Sequence, residues 1–263
     1  MRKLAIALVA LASTARAASA ADLPAAPSVK APAEVMPVYN WTGFYVFGGA
    51  GGGLWSANTM VVDRLGGCIA GVTLCAFNQT QSGRGWFGTV GGGYDWQFSP
   101  KWVIGVFGDG QFGSLAGTIQ DQGPFIAGRE KLKDSWAAGA RLGYLVARNV
   151  LSYLNAGYTG ARWSGTQMFH TSFGSFGAHT DGFDGSGWFV GGGVENNLDI
   201  FGISAPGWFI KTEYRAAYYN TKQINVLMNG ANAPLISVSN TGDAITFRPM
   251  VQSISTSIVY RFN

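Results

Sequence analysis

The chain has 263 residues, with 18 Lys and Arg against 14 Asp and Glu, and its charged fraction is only 12%. Soluble domains average about 25% charged residues, and the 39 glycines are about twice the usual share. Past the N-terminal 20 residues no apolar run reaches the ~18 needed for a membrane-spanning helix, so helical spans are excluded.

Residues 1–20 have the form of an export signal. Arg2 and Lys3 supply the positive start, Leu4 to Ala12 a short apolar stretch, and Ala18-Ser19-Ala20 a small-residue cleavage site. The mature chain is expected to begin at Ala21. Loss of Arg2, Lys3 and Arg16 takes three cations from 18, leaving 15 against 14 acids, a net charge of +1. No basic patch remains for a nucleic-acid partner.

Residues 21–40, with Pro24, Pro27, Pro32 and Pro37 among alanines, read as an extended periplasmic linker. Residues 41–263 then read as one barrel domain. Period-2 patterning predicts strands near 41–53, 85–97, 102–113, 134–146, 150–163, 187–198, 208–219 and 246–262. Short connections, as at Phe98-Ser99-Pro100-Lys101 and Ala147-Arg148-Asn149, alternate with long ones near 54–84, 114–133, 164–186 and 220–245. That alternation predicts an all-β fold: an eight-stranded antiparallel up-and-down transmembrane β-barrel with short periplasmic turns and four long extracellular loops. A lipocalin-type soluble barrel has the same topology but no reason for an uncharged aromatic exterior.

The pattern also predicts which way each side chain points. The last strand puts Ile254, Ile258, Tyr260 and Phe262 on one face and Ser253, Ser255, Ser257 and Arg261 on the other. With even numbers outward, Trp86, Val90, Tyr94, Trp136, Leu142, Tyr144, Trp188, Val194, Trp208 and Tyr214 meet lipid. The odd set holds Asp95, Asp109, Gln111, Arg141, Glu195, Lys211, Glu213 and Arg215. An outward Arg or Lys at mid-membrane costs about 2–4 kcal/mol, and a one-residue slip would turn the whole set outward. The register is therefore strongly specified.

Inside, Asp95, Asp109, Glu195 and Glu213 nearly cancel Arg141, Lys211, Arg215 and Arg261. Eight strands leave room only for side chains, and buried charges are tolerable only when paired. A paired network that plugs the bore is expected, with Arg141 and Arg215 joined to Glu195 and Glu213. The alternative is a narrow ion or proton path gated by those pairs.

The remaining motifs carry little chemistry. Mid-strand Gly91-Gly92-Gly93 and Gly191-Gly192-Gly193 suit a tight barrel with large inward neighbours. The glycine run 48–53 superficially resembles a phosphate loop but lacks the Lys-Ser/Thr pair that follows one. Cys68 and Cys75, in the first long loop of an exported protein, are expected to form a disulfide. His170 and His179 fall in the third long loop near Asp181 and Asp184; they match no defined ligand motif and are expected to be solvated. No nucleophile–base pair is held on strand ends, so no catalytic role, cofactor or metal is expected. Recognition, if any, belongs to the loops.

Several segments together resemble the small outer-membrane β-barrel proteins of alphaproteobacteria, known as outer-membrane immunogenic or porin-family proteins. They are Ala20-Ala21-Asp22-Leu23-Pro24, Asn40-Trp41-Thr42-Gly43-Phe44-Tyr45-Val46 and Gly91-Gly92-Gly93-Tyr94-Asp95-Trp96-Gln97-Phe98. Ala140-Arg141-Leu142-Gly143-Tyr144, Val190-Gly191-Gly192-Gly193-Val194-Glu195 and the terminal Tyr260-Arg261-Phe262 complete the set. The resemblance implies an eight-stranded barrel in the outer-membrane lipid, inserted by the barrel-assembly machinery through a signal that includes Tyr260 and Phe262, although here Asn263 follows. Members of that family are described as structural envelope proteins, surface antigens, porin-like proteins or haem binders. The expected function is thus a structural, surface-exposed role in the cell envelope, with loops open to an extracellular ligand or host surface. Porin-like transport and loop-based haem binding are the alternatives.

Overall fold

The structure, a computed structural model, describes residues 39–67, 78–121, 125–170, 177–230, 233–236 and 241–262. The proposed signal and most of the linker lie outside those residues. So does the Cys68–Cys75 pair.

Among the described residues twelve strands follow one another: β1 Gly43–Asp63, β2 Gln79–Ser99, β3 Trp102–Asp121, β4 Ile126–Ala147, β5 Val150–Trp163, β6 Thr166–His170, β7 Gly177–Thr180, β8 Phe183–Asn197, β9 Trp208–Tyr219, β10 Lys222–Asn225, β11 Leu227–Met228 and β12 Asp243–Phe262. Eight of them, β1 to β5 with β8, β9 and β12, pair antiparallel in a ring. The ring closes where Phe44 of β1 meets Phe262 of β12 and the ladder runs on to Asp63 opposite Asp243. Closure leaves no open edge, which a chain in lipid requires. The eight-stranded barrel read from the sequence is the fold observed.

Side-chain direction also follows the predicted parity. Trp86, Val90, Tyr94, Trp136, Leu142, Tyr144, Trp188, Trp208, Ile254 and Phe262 are exposed, while Asp95, Asp109, Arg141, Glu195, Lys211, Glu213 and Arg215 are buried. Two aromatic girdles bound the apolar outer band. Trp136 with Tyr158 and Trp188 with Tyr218 lie at the loop end; Trp102 with Tyr144 and Trp208 with Tyr260 lie at the turn end.

The strands differ from expectation in length. β1, β2, β3 and β4 continue well past the loop-end girdle, and the connection expected over 114–133 shrinks to 122–125. The greasy outer face ends at that girdle, and with it the alternation that marks a strand in the sequence. The hydrogen-bonded ladder does not need lipid, because Leu115, Ile119, Ile126 and Leu132 keep an apolar inner face in the extension. A shift in the β4 register between Leu132 and Asp134 reverses the parity there. Beyond it, even-numbered Leu132, Glu130 and Ile126 point inward, and Arg129, Lys131 and Lys133 are exposed.

The third long loop also contains regular structure. β6 and β7 form a hairpin, with β6 extending the sheet from the end of β4 and β7 pairing with β11. At the turn end, the final residues of the expected linker pack against the barrel: Tyr39 meets Trp41 and Phe209 edge-on, with ring centroids 5.6 and 4.9 Å apart.

Candidate functional site in the barrel lumen

The lumen charges form two quartets, each with two cations and two carboxylates. Near the turn end, Arg141 donates through Nε to Asp95 Oδ1 at 2.8 Å, through Nη2 to Asp95 Oδ2, and through Nη1 to Glu195 Oε2 at 3.2 Å. Arg261 closes the same ring. It reaches Glu195 Oε1 through Nε and Asp95 Oδ2 through Nη2, both at 2.8 Å. The guanidinium groups also face aromatic rings: Arg141 lies 4.3 Å from the Tyr45 centroid and Arg261 4.6 Å from that of Trp41.

The second quartet stands farther toward the loops. Arg215 forms a fork on Asp109, with Nη1 at 2.9 Å from Oδ1 and Nη2 at 2.6 Å from Oδ2. Its Nη2 also donates to Glu213 Oε1 at 2.7 Å. Lys211 lies 3.8 Å from Glu213 Oε2 as an ion pair, and that oxygen accepts a hydrogen bond from the Tyr153 hydroxyl at 2.8 Å. Formal charge cancels within each quartet. Two-point Arg–carboxylate contacts are the geometry that offsets desolvation best.

All seven lumen residues named from the sequence thus enter the two quartets. Two of the expected links form, Arg141 to Glu195 and Arg215 to Glu213. The stronger bidentate partners, however, are the aspartates. Arg261, counted among the inward charges in the sequence, completes the first quartet. Sequence reading missed Trp41, which is fully buried and accepts Arg261 Nη1 on its carbonyl at 3.2 Å. Tyr45 and Tyr153 were missed too. Their signal is the repeated Gly-Gly-Gly-X-acid motif of β2 and β8. A Cβ on Gly93 would sit 2.5 Å from the Tyr45 hydroxyl, and one on Gly193 2.7 Å from the Tyr153 hydroxyl. The glycines make space for a tyrosine beside the acid that follows.

Above the quartets the bore is filled by rings. Trp55 and Trp163 meet edge-on at 5.5 Å, and both pack against Phe247, at 5.6 and 5.1 Å. Trp55 Nε1 donates to the Leu115 carbonyl at 3.0 Å, so its polar edge is satisfied. From turn end to loop end the lumen therefore passes from Trp41 through two ionic layers to an aromatic ceiling.

Beyond that ceiling, and six residues past Trp136 on β4, Glu130 is fully buried outside the apolar band. It accepts from Thr166 Oγ1 at 2.6 Å and from the Lys131 backbone at 3.3 Å. Burial pushes its carboxyl up to about 7, against the lowering effect of those bonds and of Lys133.

The two histidines do not converge. His179 pairs with Gln167 across the hairpin and holds Asn229 Oδ1 at 3.0 Å through Nδ1. His170 lies three positions farther along β6, roughly 10 Å at strand rise, and an odd offset puts it on the opposite face. Both lie on short strands and are half-buried, where the sequence suggested solvated loop. Among the described residues, no group of three or more His, Cys, Asp or Glu is placed to hold a metal ion.

No family model matches the chain. The 31 kDa outer-membrane immunogenic proteins of Brucella melitensis and Brucella suis are each 26% identical over 215 residues, covering 76% of this chain and 80% of the relative. In this chain the ring of strands is closed and its apolar exterior is bounded by aromatic girdles. The chain is an outer-membrane β-barrel protein. Among solved structures, the barrel is similar to the outer-membrane protein OprG from Pseudomonas aeruginosa, at 12% identity and a TM-score of 0.46, covering 85% of this chain and 98% of that one. Neisserial surface protein A gives 14% identity and a TM-score of 0.39, covering 84% and 98%. These two likenesses are distant, and the fold rests on the ring of strand pairings itself. With short turns on the periplasmic side, the aromatic ceiling and the β6–β7 hairpin lie on the extracellular side.

Proposed function

We propose that this outer-membrane barrel is a non-conducting, non-catalytic envelope protein that anchors a structured extracellular crown and presents it at the cell surface. One observation carries the reading: the bore is occupied at every level, by Trp41, by two internally neutral quartets and by the Trp55–Trp163–Phe247 layer. An eight-stranded ring has only enough interior to be filled by side chains. A conducting path would need paired charges in a low-dielectric bore to separate, which leaves uncompensated buried ions. The extended β1–β4 walls and the β6–β7 hairpin support display, and the relatives named immunogenic are consistent with exposure of such a surface.

The same proposal takes residues 1–20 as a removed export signal, 21–40 as a periplasmic segment, and Tyr260 and Phe262 as part of the signal read by the barrel-assembly machinery. Phe262 faces lipid and packs edge-on against Tyr260 at 5.0 Å, so it is available to an external reader. Refolded protein in planar bilayers tests the closed bore. The expected trace stays at baseline, and a reproducible single-channel conductance would replace this reading with porin-like transport.

A further inference from the structure

Outward cations at the extracellular rim are of two kinds, ion-paired and unpaired. Around β5 and β8, Arg162 is neutralised, lying 3.7 Å from Asp134 and 3.8 Å from Asp184. On β2 to β4 the cations have no such partners. Arg84 of β2 stands beside Ala116 of β3, which stands beside Lys131 of β4, in one row across three strands. The parity reversal on β4 adds Arg129 and Lys133 to the same outer surface, so four exposed cations share the sector. Among the described residues none of the four forms a salt bridge.

Their height matters. Arg84 lies two residues beyond Trp86, and Lys133 and Lys131 lie three and five beyond Trp136. Those tryptophans mark the membrane–water interface, where indole rings settle at headgroup level. Two strand residues rise about 7 Å and five about 17 Å along the strand, so the row climbs from headgroup level at Arg84 outward to Lys131 at the outer edge of the leaflet. Below Arg84 the wall is concave. Gly52, Gly53 and Gly85 leave an open groove of about 650 Å³, walled by Trp86 on one side and by Leu54 and Ile254 on the other. Cations above an apolar groove complement a molecule with an anionic head and a hydrocarbon tail.

We propose that this sector binds a phosphorylated, acylated glycolipid of the outer leaflet, with its phosphates on the Arg84–Lys131 row and one acyl chain in the glycine-floored groove. The two cations stand about 10 Å apart across two strand spacings, a span that a headgroup bearing more than one phosphate bridges. Each Lys or Arg near an anionic lipid surface contributes about fivefold in affinity.

The test uses the refolded barrel in neutral detergent micelles, with retained lipid counted by native mass spectrometry and folding checked by heat-modifiable gel mobility. Diphosphoryl lipid A should be retained at least tenfold better than the same lipid stripped of phosphate. The double variant R84Q/K131Q should lose about thirtyfold, and R162Q, in the neutralised sector, should keep wild-type retention. G52V, which fills the groove floor, should weaken retention while preserving the preference for phosphate. Equal retention by R84Q/K131Q and wild type, or of the dephosphorylated lipid, would overturn the proposal. Phosphatidylglycerol retained as strongly as lipid A would overturn the assignment to a glycolipid.

Discussion

Replacing Arg141 with methionine would remove three hydrogen bonds to two carboxylates that are themselves fully buried. Asp95 and Glu195 would then share Arg261 alone, leaving one negative charge uncompensated in a site without solvent. Breaking a buried pair from one side typically costs about 3–5 kcal/mol. The loss of the guanidinium from the Tyr45 face, 4.3 Å away, acts in the same direction. Urea unfolding of protein refolded into lipid vesicles, followed by tryptophan fluorescence, should register a destabilisation in that range. D95N in the same background removes the stranded charge, so the pair R141M/D95N should be more stable than R141M alone, with a coupling of roughly 0.5–3 kcal/mol. A single-variant loss below about 1 kcal/mol, or no coupling, would mean that the quartet contributes no more than a solvated ion pair.

The other predictions follow from packing, titration and covalent chemistry. Gly93→Ala puts a methyl group against the Tyr45 ring and the Val106 carbonyl and should destabilise the barrel by about 1–3 kcal/mol in the same assay, with an equivalent loss for Gly193→Ala against Tyr153. Glu130 binds its proton more tightly in the folded crown than in an unfolded one, so stability is fully present below about 4.5 and declines as pH rises toward about 7. The shift corresponds to roughly 3 kcal/mol at most, and the protection of β4 and β6 amides against hydrogen exchange, taken relative to the intrinsic rate at each pH, should fall over that window in wild type but not in E130Q. Cys68 and Cys75 should give a disulfide-linked peptide in non-reducing mass spectrometry of protein recovered from the outer membrane; free thiols at both positions would refute it.

How much was legible in the sequence follows from the physics of each feature. Strand parity was readable because lipid penalises every misplaced charge. The sites of Asp95, Asp109, Arg141, Glu195, Lys211, Glu213 and Arg215 needed only a period of two. Their partners were not readable: Arg141 meets Asp95 from 46 positions away along the chain, and Arg215 meets Asp109 from 106. Beyond Asp134, where a long loop rather than strand was expected, a register shift on β4 reverses the parity and sends Glu130 inward and Lys131 outward. Nothing in the local sequence marks that shift.

By itself, the sequence determined the alternation of inward and outward side chains, the aromatic limits of the lipid band and the near-neutrality of the bore, since each depends on local spacing and on the cost of charge in hydrocarbon. Tertiary structure alone decided that the charges divide into two self-neutral quartets, that Trp41 closes the periplasmic mouth, and that the crown is built strand rather than loose loop. Those outcomes depend on ring closure, which sets the stagger between neighbouring strands and so chooses which distant residues share a level.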